Sequence, residues 1–324
     1  MTRLALIGYG NVGRALARLL RRQSARFPFR ITGVHTARHG TAIAPRGVPL
    51  EPVFGPRAES VDAFLDAAKA EIAVELTTLN PATGEPAISH LRAAFARKMH
   101  VVTANKGPIA HAYAELRDLA ARQGVEFRFE STVMDGAPVF NMARYNLPGV
   151  AVLGFTGALN STSKLVIETM ERGGSFADGL ALARRLGVTE ADGAFDVEGW
   201  DSAAKTAALA NVLMDARTTP QAVSTRGITR LTPERMADLA RAGKTVRLIS
   251  RARRGPGGLT FRVRAEVLEK SNVLACVQGT SNLLLLHTDL MGTIGMVSIA
   301  PGVEQTAYGV FSDLIDVVRS TKTV

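Results

Sequence analysis

A glycine turn between an apolar strand and an amphipathic helix constrains this chain more than any other feature. The apolar run Leu4–Ile7 leads into Gly8-Tyr9-Gly10-Asn11-Val12-Gly13, and the pattern RALARLLRR then predicts a helix. Gly8 permits a tight turn, Gly10 lets a pyrophosphate approach the backbone, and Gly13 lets the helix pack closely on the strand. The order of strand, turn and helix predicts a dinucleotide site at the helix N-terminus, the alternative being a plain glycine-rich turn.

A basic segment follows the second predicted strand, Phe29–Val34, and ends in Arg38-His39-Gly40. An acidic residue there would bind the ribose hydroxyls of NAD, whereas Arg38 suits the additional phosphate of NADP. The sequence therefore predicts a preference for NADP(H) over NAD(H), with Arg57 as a second candidate for the phosphate. The alternative is that Arg38 is a solvated loop arginine, which is consistent with the adjacent His39 and Gly40.

The first half of the chain alternates short apolar strands with helical patterns. Further strands are predicted at Ile72–Leu76, His100–Thr103 and Val125–Glu130. This spacing predicts a doubly wound parallel sheet with right-handed crossovers. Ligands of such sheets bind beyond the carboxyl ends of the strands, which is where Thr77, Thr78 and Lys106 fall.

The pattern changes after residue 133. Helix-rich stretches lead to two alternating segments, Val246–Arg253 and Leu259–Leu268, which predict an antiparallel pair beside the turn GPGG. We therefore predict an α/β chain with two domains, a Rossmann-type nucleotide-binding domain at 1–133 and a mixed α+β domain at 134–303. An amphipathic helix is predicted near the C-terminus, and the segment 304–324 is expected to complete the first domain.

The chain is basic, with a formal net charge of +10, and a nucleic-acid partner has to be considered. The charge is scattered, however, and the densest runs, Arg18–Arg22 and Arg251–Arg254, lack the interleaved aromatic residues of a base-stacking surface. The sequence contains neither an apolar run long enough to span a membrane nor a signal-peptide pattern. We expect a cytoplasmic protein with a small-molecule substrate and with neither nucleic acid nor membrane as a partner.

Proton transfer by lysine is more consistent with this sequence than cysteine chemistry. The single cysteine, Cys276, excludes an internal disulfide, and its apolar setting VLACVQG predicts a buried structural thiol. Lysine is scarce, with eight residues among the 39 Lys and Arg. Arginine stays protonated, whereas a lysine can lose its proton near neutral pH when its surroundings lower its pKa, so the few lysine positions are the candidates for proton transfer.

Residues 187–205, GVTEADGAFDVEGWDSAAK, contain five carboxylates and a single lysine. Asp201 and Lys205 lie four residues apart and share one face of a helix that starts near Trp200. A solvated acidic loop followed by an ordinary helix salt bridge would explain this pattern. The alternative is a site for a cation, because carboxylates are the natural partners of a desolvated ammonium group.

Six segments resemble homoserine dehydrogenases, in the same order and over nearly the full chain. They are GYGNVG at 8–13, VELTT at 74–78, HVVTANKGP at 100–108, ESTV at 130–133, LNSTSK at 159–164 and TEADGAFDVEGWDSAAK at 189–205. The resemblance implies an NAD(P)-dependent oxidoreductase that interconverts L-aspartate 4-semialdehyde and L-homoserine in threonine and methionine biosynthesis. It also implies a catalytic domain that forms a homodimer, and we expect the short form that has no regulatory domain.

The resemblance also implies roles for individual residues. Lys205 would transfer a proton, and Lys106 would polarise the aldehyde oxygen or bind the substrate; the alternative is that Lys106 is an exposed loop lysine. Glu190 and Asp201 would bind the substrate ammonium group, and Thr162 would be a further substrate contact. For Asp192, Asp196 and Glu198, roles in the site, in the loop or at a helix cap stay open. The expected cofactor contacts are Gly8, Gly10, Asn11, Val12, Gly13, Arg38, Thr77, Thr78, Lys106 and Gly302.

Three segments differ from the family pattern or extend it. The family commonly has Gly-Thr-Thr-Asn-Tyr where this chain has Ser161-Thr162-Ser163-Lys164-Leu165, so Lys164 places a charge near the expected substrate pocket. The segment around Gly302 is shorter and less glycine-rich than in relatives. Residues 130–137 resemble a segment that binds a monovalent cation, Na⁺ or K⁺, largely through backbone carbonyls. The implied ligands are Glu130, Val133, Asp135 and Ala137; Glu130 could equally be a buried hydrogen-bonding acid.

Other functions remain open at this point. A related amino-acid or hydroxy-acid dehydrogenase would share the hydride chemistry and differ only in its pocket. A non-catalytic NADP-binding regulator would need no proton donor, so the presence of Lys106, Glu190, Asp201 and Lys205 argues against it. A phosphorylating aldehyde dehydrogenase needs an activated cysteine nucleophile, which Cys276 in its apolar setting does not provide.

Overall fold

The structure is a computed structural model that describes residues 1–189 and 193–321. In it the protein consists of two compact units. Contacts between Cα atoms assign residues 1–138 and 302–321 to the first unit and residues 139–301 to the second. Within the described part of the chain, none of the helices combines the length and apolar character that crossing a bilayer requires.

Twelve strands and eleven helices are assigned in the described residues. The strands are β1 (Thr2–Ile7), β2 (Phe29–Thr36), β3 (Gly40–Ile43), β4 (Ile72–Glu75), β5 (His100–Thr103), β6 (Phe127–Arg128), β7 (Val152–Ala158), β8 (Ser224–Arg226), β9 (Lys244–Gly255), β10 (Gly258–Glu269), β11 (Asn282–Thr288) and β12 (Thr293–Ser298). The helices are α1 (Asn11–Arg22), α2 (Val61–Ala68), α3 (Ala87–Ala96), α4 (Lys106–Gln123), α5 (Val139–Asn141), α6 (Ser161–Glu171), α7 (Phe176–Arg185), α8 (Ala194–Val197), α9 (Trp200–Met214), α10 (Pro233–Arg241) and α11 (Val303–Ser320).

The first unit contains a six-stranded sheet in the order β3-β2-β1-β4-β5-β6. The pairs from β2 to β6 are parallel, which confirms the predicted doubly wound α/β class. The edge strand β3 departs from the prediction, because it pairs antiparallel with β2. Only the three residues 37–39 connect β2 to β3, and so short a connection allows a hairpin but not a crossover.

The core of the first unit joins the start of the chain to its last helix. Leu4 and Leu6 of β1, Leu16 of α1, and Val310 and Leu314 of α11 are all fully buried in one apolar cluster. Full burial of a leucine or valine side chain contributes about 1.5–3 kcal/mol to stability. Helix α11 therefore belongs to the first unit in space although it is the last helix in sequence.

The second unit is built around another six-stranded sheet, in the order β12-β11-β7-β9-β10-β8. The strands β9 and β10 form a twelve-residue antiparallel pair around the predicted GPGG turn. Helix α9 packs on both of these strands and buries its alanines Ala203, Ala204, Ala207 and Ala208 completely. Small side chains let the backbone of α9 approach the sheet closely, which fixes the position of the polar residues in its first turns.

Candidate active site

The glycine turn of the first unit has the geometry that a dinucleotide requires. Gly8 has a φ of +101°, and a Cβ there would lie 2.7 Å from the backbone of Leu76, so only glycine fits. A Cβ on Gly13 would lie 3.2 Å from the carbonyl oxygen of Gly8, which reflects the close packing of α1 on β1. A Cβ on Gly10 would meet no described atom within 4 Å. The amides of Asn11, Val12 and Gly13 begin α1 beside this open space.

A buried carboxylate organises the ends of strands β4 and β5. Glu75, 1% exposed, accepts hydrogen bonds from the backbone N–H of Thr77 at 3.0 Å and from Oγ1 of Thr103 at 2.9 Å. The hydroxyl of Thr77 also donates to it. Thr77 and Thr78 were predicted to contact the cofactor, and Glu75 fixes the first of them. Sequence inspection did not single out Glu75, although an acid that ends an apolar strand inside VELTT was a visible signal.

Lys106 occupies the first position of helix α4 and is half-buried. The preceding residue, Asn105, caps the helix, because its Oδ1 accepts from the N–H of Gly107 at 2.9 Å. The side-chain nitrogen of Asn105, Nδ2, donates to the backbone carbonyl of Thr77 at 3.1 Å. These two bonds hold Lys106 and Thr77 in a defined relation at the carboxyl edge of the first sheet.

Two arginines lie at the end of strand β2. Arg38 is exposed in the turn between β2 and β3. Arg57 is also exposed, and its neighbour Ala58 donates its N–H to Oγ1 of Thr41 at 3.0 Å. Burial, and then the nearby charges of Arg57 and of a second histidine, lower the pKa of His35 near the end of β2. The end of β2 therefore presents positive charge from two segments of the chain.

The segment predicted to bind a cation lies against helix α11. Glu130 and Val133 are buried, and Asp135 adopts a left-handed φ of +58°. The N–H of Ala137 donates to the carbonyl of Met134 at 3.0 Å. Gly302 caps α11, and its N–H donates to Oε1 of Gln305 at 2.9 Å. The four implied ligands thus lie in one loop, although no cluster of three or more His, Cys, Asp or Glu that could hold a metal occurs among the described residues.

Asp313 of α11 is the acidic neighbour of this loop. Its Oδ2 accepts from the N–H of Glu130 at 2.8 Å, and its Oδ1 is buried without a hydrogen-bond partner in the described structure. Burial raises the pKa of Asp313 well above the ordinary value for aspartate, and the charge of Glu130 adds to the rise. An orphaned buried oxygen beside a second acid favours either a proton or a cation at this place.

In the second unit, Asp201 and Lys205 lie one turn apart at the start of α9. Their Oδ2 and Nζ atoms are 3.1 Å apart, and the two side chains are 16% and 15% exposed. Lys205 Nζ also donates to the backbone carbonyl of Leu159 at 2.7 Å. The pair is therefore mostly buried and tied to another segment, unlike a solvated salt bridge on a helix surface.

Asn160 joins two carboxylates of the acidic stretch. Its amide nitrogen donates to Oδ1 of Asp196 at 2.7 Å and to Oδ2 of Asp201 at 3.0 Å. Asp196 also accepts from the hydroxyls of Thr162 at 3.0 Å and Thr189 at 2.8 Å. Asp196 had no definite role in the sequence, and Asn160 was not singled out. Asn160 could have been found from the sequence, because asparagine between a strand and a helix is a common helix cap.

Burial raises the pKa of Asp196, and the neighbouring charge of Asp201 raises it further. Hydrogen bonds from Thr189 and Asn160 and the charge of Lys205 act in the opposite direction. Glu198 is exposed. Glu190 and Asp192, the other acids of this stretch, lie outside the described residues. The described cluster of the second unit therefore consists of Asn160, Thr162, Asp196, Asp201 and Lys205.

The structure shows the burial of two further side chains that the sequence singled out. Lys164 was expected to place a charge near the substrate pocket, and its side chain is 1% exposed beneath the first turn of α6. Cys276 was expected to be buried, and this prediction is wrong because Cys276 is exposed. It follows the single helical turn Val273–Ala275, whose Leu274 and Ala275 turn inward while Cys276 turns out. The apolar residues around Cys276 in the sequence do not determine which side chains of the turn face the core.

The predicted site residues fall on both units. Lys106 and the cofactor contacts belong to the first unit, whereas Thr162, Asp201 and Lys205 belong to the second. Each group is brought together within its own unit by side chains distant in sequence. The first unit provides a glycine turn and a lysine at a strand edge, and the second provides paired carboxylates with a lysine.

Sequence comparisons match both units to one family. A family described as "Homoserine dehydrogenase" matches residues 138–315, and one described as "Homoserine dehydrogenase, NAD binding domain" matches residues 8–130. The NAD(+)-dependent homoserine dehydrogenase of Pseudomonas canavaninivorans is 36% identical, over 98% of this chain and 96% of the relative. The homoserine dehydrogenase of Methanocaldococcus jannaschii is 33% identical, over 98% of this chain and 99% of the relative.

Solved structures agree with these matches. A putative homoserine dehydrogenase from Archaeoglobus fulgidus superimposes with a TM-score of 0.86 at 29% identity, over 98% of this chain and 99% of that chain. A homoserine dehydrogenase from Thiobacillus denitrificans superimposes with a TM-score of 0.84, also at 29% identity. This chain covers 74% of the latter structure, which in turn matches 99% of this chain.

Proposed function

The chain belongs to the homoserine dehydrogenase family and is an NAD(P)-dependent oxidoreductase acting on a CH–OH group, and from this premise we propose that it interconverts L-homoserine and L-aspartate 4-semialdehyde with NADP(H). The observation that carries the substrate assignment is the cluster of Asp196, Asp201 and Lys205 joined by Asn160. Among the described residues of this cluster, two carboxylates lie beside one lysine, and this excess of negative charge suits the ammonium group of an amino acid.

Within this proposal the second unit holds the substrate and moves its proton. Asp201 and Glu190 bind the ammonium group together with Asp196, and Thr162 contacts the substrate beside Asp196. Lys205 gives a proton to the substrate oxygen as negative charge develops on it during aldehyde reduction and takes the proton back during alcohol oxidation. The buried setting of Lys205 and its bond to the carbonyl of Leu159 hold Nζ in one place for this transfer.

The first unit holds the cofactor and stabilises charge on the substrate oxygen. The open glycine turn fits a pyrophosphate at the amides of Asn11, Val12 and Gly13. We assign Thr77, Thr78 and Gly302 to the remainder of the cofactor site. When bound, the nicotinamide supplies or accepts the hydride. Lys106, held by the cap of Asn105, polarises the oxygen of the reacting carbonyl.

The preference for NADP(H) rests on Arg38 and Arg57 at the end of β2. A guanidinium meets the 2′-phosphate with charge-assisted hydrogen bonds, whereas NAD offers only hydroxyl groups there. One such bond contributes about 1.5–3 kcal/mol, so Arg38→Ala should shift the ratio of kcat/KM values at least about tenfold toward NAD. The measurement is kcat/KM for both cofactors in both proteins. Equal losses of kcat/KM with NADP and NAD would leave Arg38 without a role in cofactor discrimination. The 36% identical relative is named as NAD(+)-dependent, so this measurement decides between the two cofactors for the present chain.

A monovalent cation, Na⁺ or K⁺, is proposed for the loop of Glu130, Val133, Asp135 and Ala137. The residues fit a cation, because Oδ1 of Asp313 is buried without a hydrogen-bond partner in the described structure and lies on the side chain that accepts from the N–H of Glu130. A cation there would tie the loop to α11. The test is thermal unfolding in NaCl, KCl and choline chloride at equal ionic strength; a midpoint that is the same in all three salts contradicts the cation.

We also propose a cytoplasmic homodimer that serves threonine and methionine biosynthesis. Sedimentation equilibrium of the purified chain tests the dimer, and a monomer at micromolar concentration contradicts it. Complementation of a homoserine auxotroph tests the biosynthetic role.

The experiment that tests the activity is the reduction of NADP⁺ in the presence of L-homoserine, followed by absorbance. A panel of other hydroxy acids and amino acids serves as the comparison. We expect L-homoserine to be oxidised with the highest kcat/KM of the panel. A different preferred substrate would indicate a related dehydrogenase, and the absence of turnover with cofactor still bound would indicate a binding protein.

A further inference from the structure

Lys164 is a lysine almost fully buried in the first helical turn of α6. Its side chain is 1% exposed. Removing an ammonium group from water is unfavourable unless hydrogen bonds replace the lost hydration. The hydrogen bonds of the Lys164 ammonium group therefore indicate what this buried cation stabilises.

The ammonium group of Lys164 connects two segments of the second unit. Nζ donates to the backbone carbonyl of Asn160 at 3.1 Å and to Oδ1 of Asn282 at 3.3 Å. Asn160 caps α6, and Asn282, itself buried, begins strand β11. Lys164 thus connects the residue before the helix to the first residue of strand β11.

Asn160 is also the residue that bridges the two carboxylates of the candidate site. Its Oδ1 accepts from the N–H of Ser163 at 2.7 Å, which orients the amide so that Nδ2 points at Asp196 and Asp201. A shift of the Asn160 backbone therefore moves the only described group that donates to both acids. The neighbouring carbonyl, of Leu159, accepts from the ammonium group of Lys205.

Two lysines consequently hold two successive carbonyls, Leu159 by Lys205 and Asn160 by Lys164. Lys205 belongs to the cluster that faces the proposed substrate, whereas Lys164 is buried below it. We propose that Lys164 is a positioning residue for substrate recognition: by holding Asn160, it sets the spacing at which Asp196 and Asp201 receive the substrate ammonium group. This inference rests on the proposed function, because it assumes an amino-acid substrate.

Positioning and plain electrostatics predict opposite effects when the charge is removed. A buried cation close to an ammonium site repels the ligand, so its removal alone would tighten substrate binding. If Lys164 acts by holding Asn160, its removal loosens the two carboxylates and weakens binding. The sign of the change in affinity therefore separates the two roles, and a purely structural role would change thermal stability without changing affinity.

The experiment compares Lys164→Met and Lys164→Gln with wild type. Methionine keeps most of the volume without a donor, and glutamine keeps a neutral donor that can still reach an acceptor. Lys270→Met removes the same charge from an exposed lysine whose Nζ donates to the carbonyl of Ala240 at 3.4 Å, and it serves as the matched control. The measured quantity is the Kd of L-homoserine in its unreactive complex with NADPH, determined by calorimetry, together with the KM of each substrate.

We expect the Kd of L-homoserine to rise about tenfold in Lys164→Met, the effect of losing one hydrogen bond from a charged group. The Kd should rise less in Lys164→Gln, and in Lys270→Met it should equal the wild-type value. The KM for NADP⁺ should stay within about twofold in all three, since the cofactor residues belong to the other unit.

An unchanged or lower Kd in both Lys164 variants overturns the proposal. If Lys164→Met does not fold, Lys164→Gln decides by the same criterion, a rise supporting the positioning role and an unchanged or lower Kd rejecting it. Failure of the wild type to oxidise L-homoserine would instead reject the proposed function on which the inference rests, so the two failures are distinguishable.

Discussion

Each unit holds a carboxylate with three hydrogen-bond donors, and the two carboxylates differ in the charges around them. Glu75, in the first unit, accepts from one backbone N–H and two hydroxyls that belong to the ends of its own and the adjacent strand. Asp196, in the second unit, accepts from one amide and two hydroxyls but also lies near Asp201 and Lys205. The three donors to Glu75 are neutral, and Nδ1 of His90 lies 3.8 Å from its Oε1, whereas a like charge, that of Asp201, accompanies Asp196.

The difference separates a carboxylate that shapes the fold from one that can bind a ligand. The neutral donors around Glu75 use its lone pairs within the protein and fix the strand ends. Around Asp196 the same number of donors does not balance the charge, because two acids face one lysine in the described cluster. A cation from outside can supply the missing charge, which is why the second unit is the proposed place for the substrate ammonium group.

The largest expected effect comes from removing the lysine of the acidic cluster. Lys205→Ala should lower kcat by about a hundredfold or more while the protein stays folded, because proton transfer to the substrate oxygen is lost. Lys106→Ala is the matched change in the first unit, and it too should lose most of its kcat. Circular dichroism checks folding, and Lys270→Ala is the control. Near-normal turnover in both folded variants would contradict the assigned roles.

A change of Asp196 tests whether the acidic cluster binds the substrate. Asp196→Asn keeps the shape and removes one charge, so the KM for L-homoserine should rise about tenfold with little change in the KM for NADP⁺. Steady-state kinetics with each substrate varied in turn gives both constants. If both KM values change equally, Asp196 supports the whole enzyme rather than the substrate site.

The corresponding change in the first unit should give the opposite pattern. Glu75→Gln replaces an acceptor-only group with one that can accept at a single oxygen, so Thr77 and Thr103 lose part of their support. The Kd of NADP⁺, measured without homoserine, should rise about fivefold, an order-of-magnitude value for one weakened hydrogen bond. A normal Kd for NADP⁺ would show that the strand ends tolerate the change and would weaken the contrast with Asp196.

The smallest effect concerns the pH dependence of substrate binding. The pKa of Asp196 is raised, so its negative charge is present above that pKa and is lost as the pH falls through it, sooner than for an exposed aspartate. Affinity for the substrate ammonium group should fall with it. Thr189→Val removes a donor that favours the carboxylate, raises this pKa further and moves the acid limb of the homoserine KM profile to higher pH. The expected change near the limb is about threefold; coincident profiles for variant and wild type would exclude Thr189 as a partner that matters.

Local patterns in the sequence predicted the elements that backbone chemistry controls. The glycine turn after β1, the alternation of strands and helices, the hairpin of β9 and β10 and the carboxyl edge that carries Lys106 follow from steric rules over a few residues. The antiparallel edge strand β3 was not predicted, because three connecting residues had to be recognised as a hairpin turn. Cys276 was placed wrongly, because burial depends on which face of a turn meets the core.

The sequence by itself determined the fold class, the dinucleotide turn and the acidic stretch with its terminal lysine. Only the tertiary structure brought Asn160 to Asp196 and Asp201, which lie 36 and 41 residues further along the chain, and buried Lys164 beneath the same cluster. Contacts of this kind arise when α6, α9 and the sheet pack together, and the free energy that fixes them is spread over side chains that are not neighbours in sequence. No local periodicity encodes that a cap residue will donate to two distant acids, so the charge balance of the site became visible only in the folded chain.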